Sequence, residues 1–277
     1  MTLTQTLLHL TNFRSPFLRT LVPAVGAAYL LQAAVAIPSI AAQSERFYDL
    51  SGSLTYLSVT ALSLYLPTWP KLLEAFTGTG GANALNWRQV VLSAAVGIWA
   101  TRLGSYLFKR IMEDGHDSRC DRRNQKSPNK FFGAFFAQAT WVSLCCLPVL
   151  ALNSLPHPLL STLPTLMLTD IIGLLLFAGG LSFEIVADRQ KSAWVAAKKR
   201  KEHDEDFLTS GLWSKSRHPN YFGEATLWTG IAVLSAGVLT GRVSGVPLSE
   251  GKYDKKYGHR KDYKEWKENT PKFIPKF

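Results

Sequence analysis

Acidic residues are few and unevenly placed. No Asp or Glu precedes Glu45, and the 20 acids of this 277-residue chain face 31 lysines and arginines, a formal net charge of +11. Cysteine is scarcer still. Cys120, Cys145 and Cys146 show no metal-ligand spacing, and the adjacent pair lies in an apolar run, which excludes a disulfide framework and leaves them as small apolar residues. Charge is absent altogether from Asn153 to Thr162, and no internal repeat or low-complexity linker interrupts the chain. What the sequence does have is apolar length: 47% of residues are hydrophobic, ample for a multi-helix membrane domain.

A helix needs about 20 predominantly apolar residues to cross a bilayer. Six runs qualify as candidates: Leu18 to Ile40, Leu50 to Leu66, Trp87 to Phe108, Phe131 to Leu152, Leu163 to Ala187 and Gly223 to Leu239. So many runs exclude an ordinary soluble bundle and predict an all-α fold, a multi-span transmembrane helical bundle of about six spans. Trp69, Trp87, Phe131, Phe132 and Trp228 lie at or near the run ends, where amphipathic rings favour the headgroup level. Residues 1–160 are expected to supply N-terminal membrane helices, and 161–277 a C-terminal region with a polar loop and a basic tail.

The basic excess is concentrated in Lys109 to Lys130, Asp188 to Arg217 and Lys252 to Lys276, which the positive-inside rule places together in the cytosol. Spread over loops between spans, it does not form the basic, aromatic-studded groove of a nucleic-acid binder. Arg14 and Arg19 precede an apolar stretch ending in Ala34-Val35-Ala36, a pattern compatible with a signal peptide or a mitochondrial presequence. The run is too long for a signal core, so an uncleaved first span in the endoplasmic reticulum is expected, with a mitochondrial membrane as the alternative.

Two polar features lack the context their motifs need. Gly78-Thr79-Gly80-Gly81 has no following Lys-Ser or Lys-Thr and no βαβ surroundings, so it reads as a turn rather than a phosphate loop. His203, within Glu202 to Asp206, belongs to a consecutive acidic run that reads as a solvated patch rather than a metal site, and the adjacent Lys198 to Lys201 is expected at anionic headgroups.

The informative stretch is Gly211 to Glu224, which packs Lys215, Arg217, His218, Asn220, Tyr221 and Glu224 immediately before an apolar run. Pro219 suits a first helical turn, so a helix is predicted from Pro219, with free backbone amides where anions bind. Arg217 and Lys215 can address phosphates, while Asn220 and Glu224, four residues apart, can serve hydroxyls or a carboxamide. Glu184, Asp188 and Lys191 recur at spacings of four and three and share a helical face. Carboxylates at membrane depth are expensive and mark functional sites by default, the alternative being an internal ion pair.

These residues also carry a resemblance. SRHPNYFGE, the preceding FEIVADRQK and the closing SGVPLSE…KKYG…IPKF resemble the membrane reductases related to steroid 5α-reductase, in the branch labelled a domain of unknown function. The resemblance runs from about Asp49 to the C-terminus. It implies a membrane helical bundle binding NADPH at its cytosolic face, with a steroid-like or other lipid substrate entering among the N-terminal helices. Glu184 and Asp188 would contact the nucleotide from one helix, and Arg217, His218, Asn220, Tyr221 and Glu224 from the next; Lys191 shares their face. The tail residues Glu250, Lys252, Tyr257 and Tyr263 resemble those that close over the cofactor. RHP followed by Tyr also occurs in isoprenylcysteine and phospholipid methyltransferases, which bind S-adenosylmethionine; a methyltransferase and a non-catalytic lipid-binding protein are the other classes in play.

The implied reaction is hydride transfer from NADPH to the β-carbon of an activated double bond, with charge developing on a carbonyl oxygen that needs a donor. Tyr56, Tyr106 and Gln138 are the polar candidates in the first half, beside the charged Asp49 and Arg102; Tyr106 is preferred and Gln138 is second. No metal is expected. One span between the basic loop and the basic tail puts them on opposite sides of the membrane, whereas closing over a nucleotide requires the same side. The chain is therefore expected to be one helix short of the family pattern near Leu239 to Ser244, through alternative splicing or a wrong gene model. Its tail is then stranded in the lumen, or Gly223 to Gly245 takes a re-entrant path.

Overall fold

Prolines open three of the long helices, at the one helical position where a missing N–H removes no hydrogen bond. In the computed structural model, which describes residues 13, 15–68, 85–114, 128–243 and 253–270, these are α1 (Pro16–Ala41), α4 (Pro128–Cys145) and α8 (Pro219–Val243). Between them lie α2 (Tyr48–Tyr65), α3 (Trp87–Asp114), the short α5 (Leu147–Asn153) and α6 (His157–Leu160), and the long α7 (Leu168–Lys199). A tail helix, α9 (Lys261–Asn269), follows. No strand occurs among the described residues, and the fold is an all-α membrane bundle.

A helix lies over each of the six predicted apolar runs, with informative differences. Four are long and apolar enough to cross a membrane alone: Pro16–Ala41, Trp87–Met112, Leu168–Lys199 and Pro219–Thr240. The fourth run is a bent pair, α4 and α5 meeting at 50°. Pro148 causes the break, since it cannot donate to the carbonyl of Leu144. The second run, α2, does not meet the apolar criterion, because Ser51, Ser53, Thr55, Thr60 and Ser63 are buried in it. It nevertheless runs antiparallel to α3, with Asp49 near Arg110 (3.9 Å), Ser53 against Gly104, and Ser63 and Ser93 sharing the amide of Asn153 (2.9 and 3.1 Å). Its hydroxyls face protein rather than lipid, so hydropathy alone understates it. The fifth run begins later than predicted, at Leu168, and continues twelve residues past Ala187, since no Gly or Pro stops the helix at the membrane edge.

Two seams hold the C-terminal half. The α7–α8 seam is made by glycines at a period of seven, Gly180 facing Gly223, Gly173 facing Gly230, and Gly237 facing Thr169. A Cβ on Gly180 would lie 2.5 Å from the backbone of Leu227, and one on Gly230 2.5 Å from the carbonyl of Gly173, so no side chain fits. The α3–α7 seam is made by long side chains. Arg88 forks onto the Asp170 carboxylate (3.0 and 2.7 Å) and donates to the Pro164 carbonyl (2.7 Å), both partners being fully buried. Four turns further along both helices, Arg102 meets Glu184 (2.7 Å) and Asp188 (2.5 Å). The offset between 88 and 170 equals that between 102 and 184, so α3 and α7 run parallel in fixed register.

The helix α8 runs unbroken from Pro219 to Val243, which excludes the re-entrant path for those residues and carries the chain away from the 200–218 loop. Ser244 to Gly251 and Lys252 lie outside the described residues, as do Gly78 to Gly81, Trp69, Cys120 and Glu250. Protease applied to sealed vesicles is expected to reach the 200–218 loop and the 253–270 tail from opposite faces; cleavage of both from one face refutes this topology. Leucine at Gly180 is expected to lower the thermal midpoint of the detergent-solubilised protein by the equivalent of at least about 1–3 kcal/mol, because backbone must move. Leucine at Gly179, around which nothing lies within 4 Å, changes it little.

Candidate functional site

A left-handed glycine sets the approach to the site. Gly211 (φ +60°) turns the chain back onto α7, where the Gln190 side chain accepts from the Leu212 amide (2.9 Å) and Trp213 donates to the Ala187 carbonyl (3.0 Å). Lys191 lies 5.0 Å from the centre of the Trp213 ring. The chain is then delivered to Pro219, where α8 starts as its sequence predicts, beside the end of α7.

The carboxylates of Glu184 and Asp188 are both buried, and Arg102 spans them. Trp99 donates to Glu184 as well (3.2 Å). This is the internal ion pair weighed as the alternative to a functional role, with its cation supplied by a neighbouring helix. It leaves the cluster acid-rich, because Glu224, half-buried one turn into α8, forms no hydrogen bond or ion pair among the described residues. Asn220 is likewise half-buried with no hydrogen bond to its amide. Arg217, His218 and Tyr221 are exposed, the His218 ring stacked on Tyr221 at 5.3 Å. Inward of the carboxylates, Tyr56 lies edge-on to Trp99 (4.9 Å) and near Trp228 (5.6 Å), an aromatic floor that seals the cluster from the core.

Outward of the carboxylates lie two adjoining hollows between α3 and α7. Tyr106 and Ser192, hydrogen-bonded to each other at 3.1 Å, line both. One, of about 270 Å³, is lined by Lys109, Arg110, Lys191 and Lys199; the other, of about 320 Å³, by Arg102, Asp188 and Arg189. A cation-lined hollow thus adjoins one that holds a carboxylate.

The two candidate catalytic residues are not brought together. Tyr106 lies at the hollows, with Arg102 at 5.5 Å from its ring centre. Gln138 instead belongs to a buried network, in which the Ser51 hydroxyl approaches both the Gln138 and Gln32 side-chain oxygens (3.3 Å each) and Gln32 donates to Thr55 (2.7 Å). A Cβ on Gly52 would strike the Gln138 amide, so that residue locks α2 to α4. The rings of Tyr257 and Tyr263 lie tilted to each other within the tail (6.1 Å), and Tyr263 donates to Asp254. His203 packs on Trp194 and meets its carbonyl (3.0 Å), and Lys198 donates to the Glu205 carbonyl, so the 200–206 turn folds onto α7. No group of three or more His, Cys, Asp or Glu able to hold a metal occurs among the described residues.

Sequence reasoning missed Arg102 as the partner of Glu184 and Asp188, and Lys109, Arg110 and Lys199 as lining. A signal was present: Arg88 and Arg102 repeat the 14-residue spacing of Asp170 and Glu184.

A family model described as a protein of unknown function (DUF1295) matches residues 67–270, the span that holds every one of these helices except α1 and α2. The chain belongs to the DUF1295 family. No curated protein and no solved structure matches it. Within the DUF1295 match fall both arginine clasps, the pinned 211–219 turn and all of the α3–α7 hollows.

Removing Arg102 leaves two buried carboxylates without their cation. Arg102→Leu is expected to destabilise the protein by on the order of 3 kcal/mol in thermal or denaturant unfolding, and Glu184→Gln with Asp188→Asn in the same chain to recover part of it. Additive losses in the triple variant contradict the pairing.

Proposed function

We propose that this DUF1295 protein is an NADPH-dependent membrane oxidoreductase that reduces an activated carbon–carbon double bond of a steroid-like or other lipid substrate. The observation that carries the reading is the adjacency of an acid-rich cluster, Glu184, Asp188 and Glu224, to a cation-lined hollow at the cytosolic end of α3 and α7. A dinucleotide presents ribose hydroxyls and phosphates side by side, and needs acceptors for the first and cations for the second. The residues fit: Glu224 and Asn220 have polar atoms without internal partners, and Arg217, His218 and Tyr221 stand exposed beside them. NADPH would supply the hydride, and this chain's residues would orient it and the substrate. Tyr106, at the wall between the hollows, is the group proposed to donate a proton to the carbonyl oxygen. The resemblance in SRHPNYFGE and FEIVADRQK supports the same assignment, and the endoplasmic reticulum is the proposed membrane.

Purified protein in detergent, offered NADPH and S-adenosylmethionine separately, tests the reading by equilibrium binding. NADPH is expected to bind, and Arg217→Ala to weaken it by on the order of 2 kcal/mol through loss of charge-assisted hydrogen bonds. Binding of S-adenosylmethionine alone identifies a methyltransferase, and binding of neither a lipid-binding protein. Where reduction is observed, Tyr106→Phe is expected to slow it roughly 10²-fold with nucleotide affinity unchanged; full activity leaves Tyr106 as packing.

A further inference from the structure

The N-terminal half holds a second hollow, of about 440 Å³, between the cytosolic ends of α1 and α2, none of whose lining residues belongs to the carboxylate cluster. Ala34, Val35, Pro38 and Leu54 give it apolar walls, and Arg46 stands at its edge. The edge is cytosolic, because Phe47 stacks on Phe108 near the basic end of α3. A plain lipid-facing crevice would be apolar throughout. This one contains polar groups with no internal partner.

Three observations identify them. Pro38 has no N–H, so the Ala34 carbonyl loses its regular helical donor at a point where both residues line the hollow. Ser39 lines the hollow, and its hydroxyl makes no hydrogen bond among the described residues. The Arg46 guanidinium makes no hydrogen bond or ion pair among the described residues. Its placement is fixed by the turn before it, in which Gln43 takes a left-handed conformation (φ 49°) and the Arg46 amide donates to Ser44.

We infer that this hollow is a binding site for a single-chain anionic lipid, a long-chain fatty carboxylate. Its chain lies along Val35, Pro38 and Leu54, and its head is held by Arg46 at the cytosolic edge. The charge decides the head group. A guanidinium matches a carboxylate with two parallel hydrogen bonds, and among the described residues Arg46 is the single cation that lines the hollow, whereas a phosphate dianion calls for a second. The site does not depend on the cofactor reading and stands whichever nucleotide the chain binds.

The test uses full-length protein in phosphatidylcholine nanodiscs, illuminated with a diazirine-bearing palmitate or, in parallel, its methyl ester, with labelled residues mapped by mass spectrometry. The carboxylate is expected to label residues 34–54 well above Leu175, a lipid-facing residue of α7. The ester is expected to label both equally. Arg46→Gln is expected to lower groove labelling about tenfold, as loss of a charge-assisted pair implies, and Arg46→Lys, which keeps the charge but not the fork, to fall between that and the wild type. Ala34→Phe, on an exposed position, is expected to abolish labelling with the thermal midpoint preserved. Equal labelling by acid and ester, or of Leu175 and the groove, overturns the proposal and leaves ordinary bilayer contact, as does an Arg46→Gln protein that labels like the wild type.

Discussion

Arginine–carboxylate pairing between α3 and α7 fixes the frame within which the other helices are placed. In a low-dielectric interior a guanidinium and a carboxylate are each costly alone, and the pair is tolerable only when the fork is fully met. Arg88 reaches that state with Asp170 and the Pro164 carbonyl, Arg102 with Glu184 and Asp188. Because both clasps lie at the same offset, sliding one helix by a single residue would break both at once. Parallel register is thereby set without close backbone approach, and the seam stays wide enough for the hollows beside Tyr106.

The opposite device operates on the other side of α7. Glycines at a period of seven let α8 lie directly on it, so Gly223 rests against Glu184 with room for no side chain. A wide seam and a tight seam on one helix have a joint consequence. Glu184 is held between them, its carboxylate turned to α3 and its backbone pressed by α8, and Glu224 arrives one residue after the glycine that makes the approach possible. The acid-rich cluster is thus a product of packing as much as of chemistry.

Legibility from sequence followed the same division. Helix existence was readable wherever apolar length sufficed, and Pro219 announced the start of α8. The break at Pro148 and the extension of α7 to Lys199 were less so, since a run of hydropathy carries no information on bends or on helix outside the membrane. For the candidate site, Glu184, Asp188, Asn220 and Glu224 stood out as polar groups at membrane depth. Their partners did not, because Arg102 and Trp99 come from a helix some 80 residues away, and only the matched 14-residue spacings encode that contact. Gln138 shows the same limit. A lone amide in an apolar run reads alike whether it serves a ligand or a neighbouring helix, and its contact with Ser51 of α2 is not encoded in the sequence around it.

The balance of charge along the α3–α7 seam has a direction. At the end near Pro164 Arg88 and Asp170 cancel. At the middle Glu184, Asp188 and Glu224 outnumber Arg102, and beyond Tyr106 the cations Lys109, Arg110, Lys191 and Lys199 outnumber everything else. A ligand meeting this gradient from the Lys199 end would match it with anionic groups outermost and hydrogen-bond donors further in. A lone phosphate would satisfy only the outer part and a sterol hydroxyl only the inner one, which is why the proposed dinucleotide, with phosphates and ribose hydroxyls adjacent, is the better match. The Tyr106–Ser192 bridge lies where the lining passes from the acid-rich cluster to the cation-lined end, so the change of sign falls at that bridge rather than in the exposed basic loop.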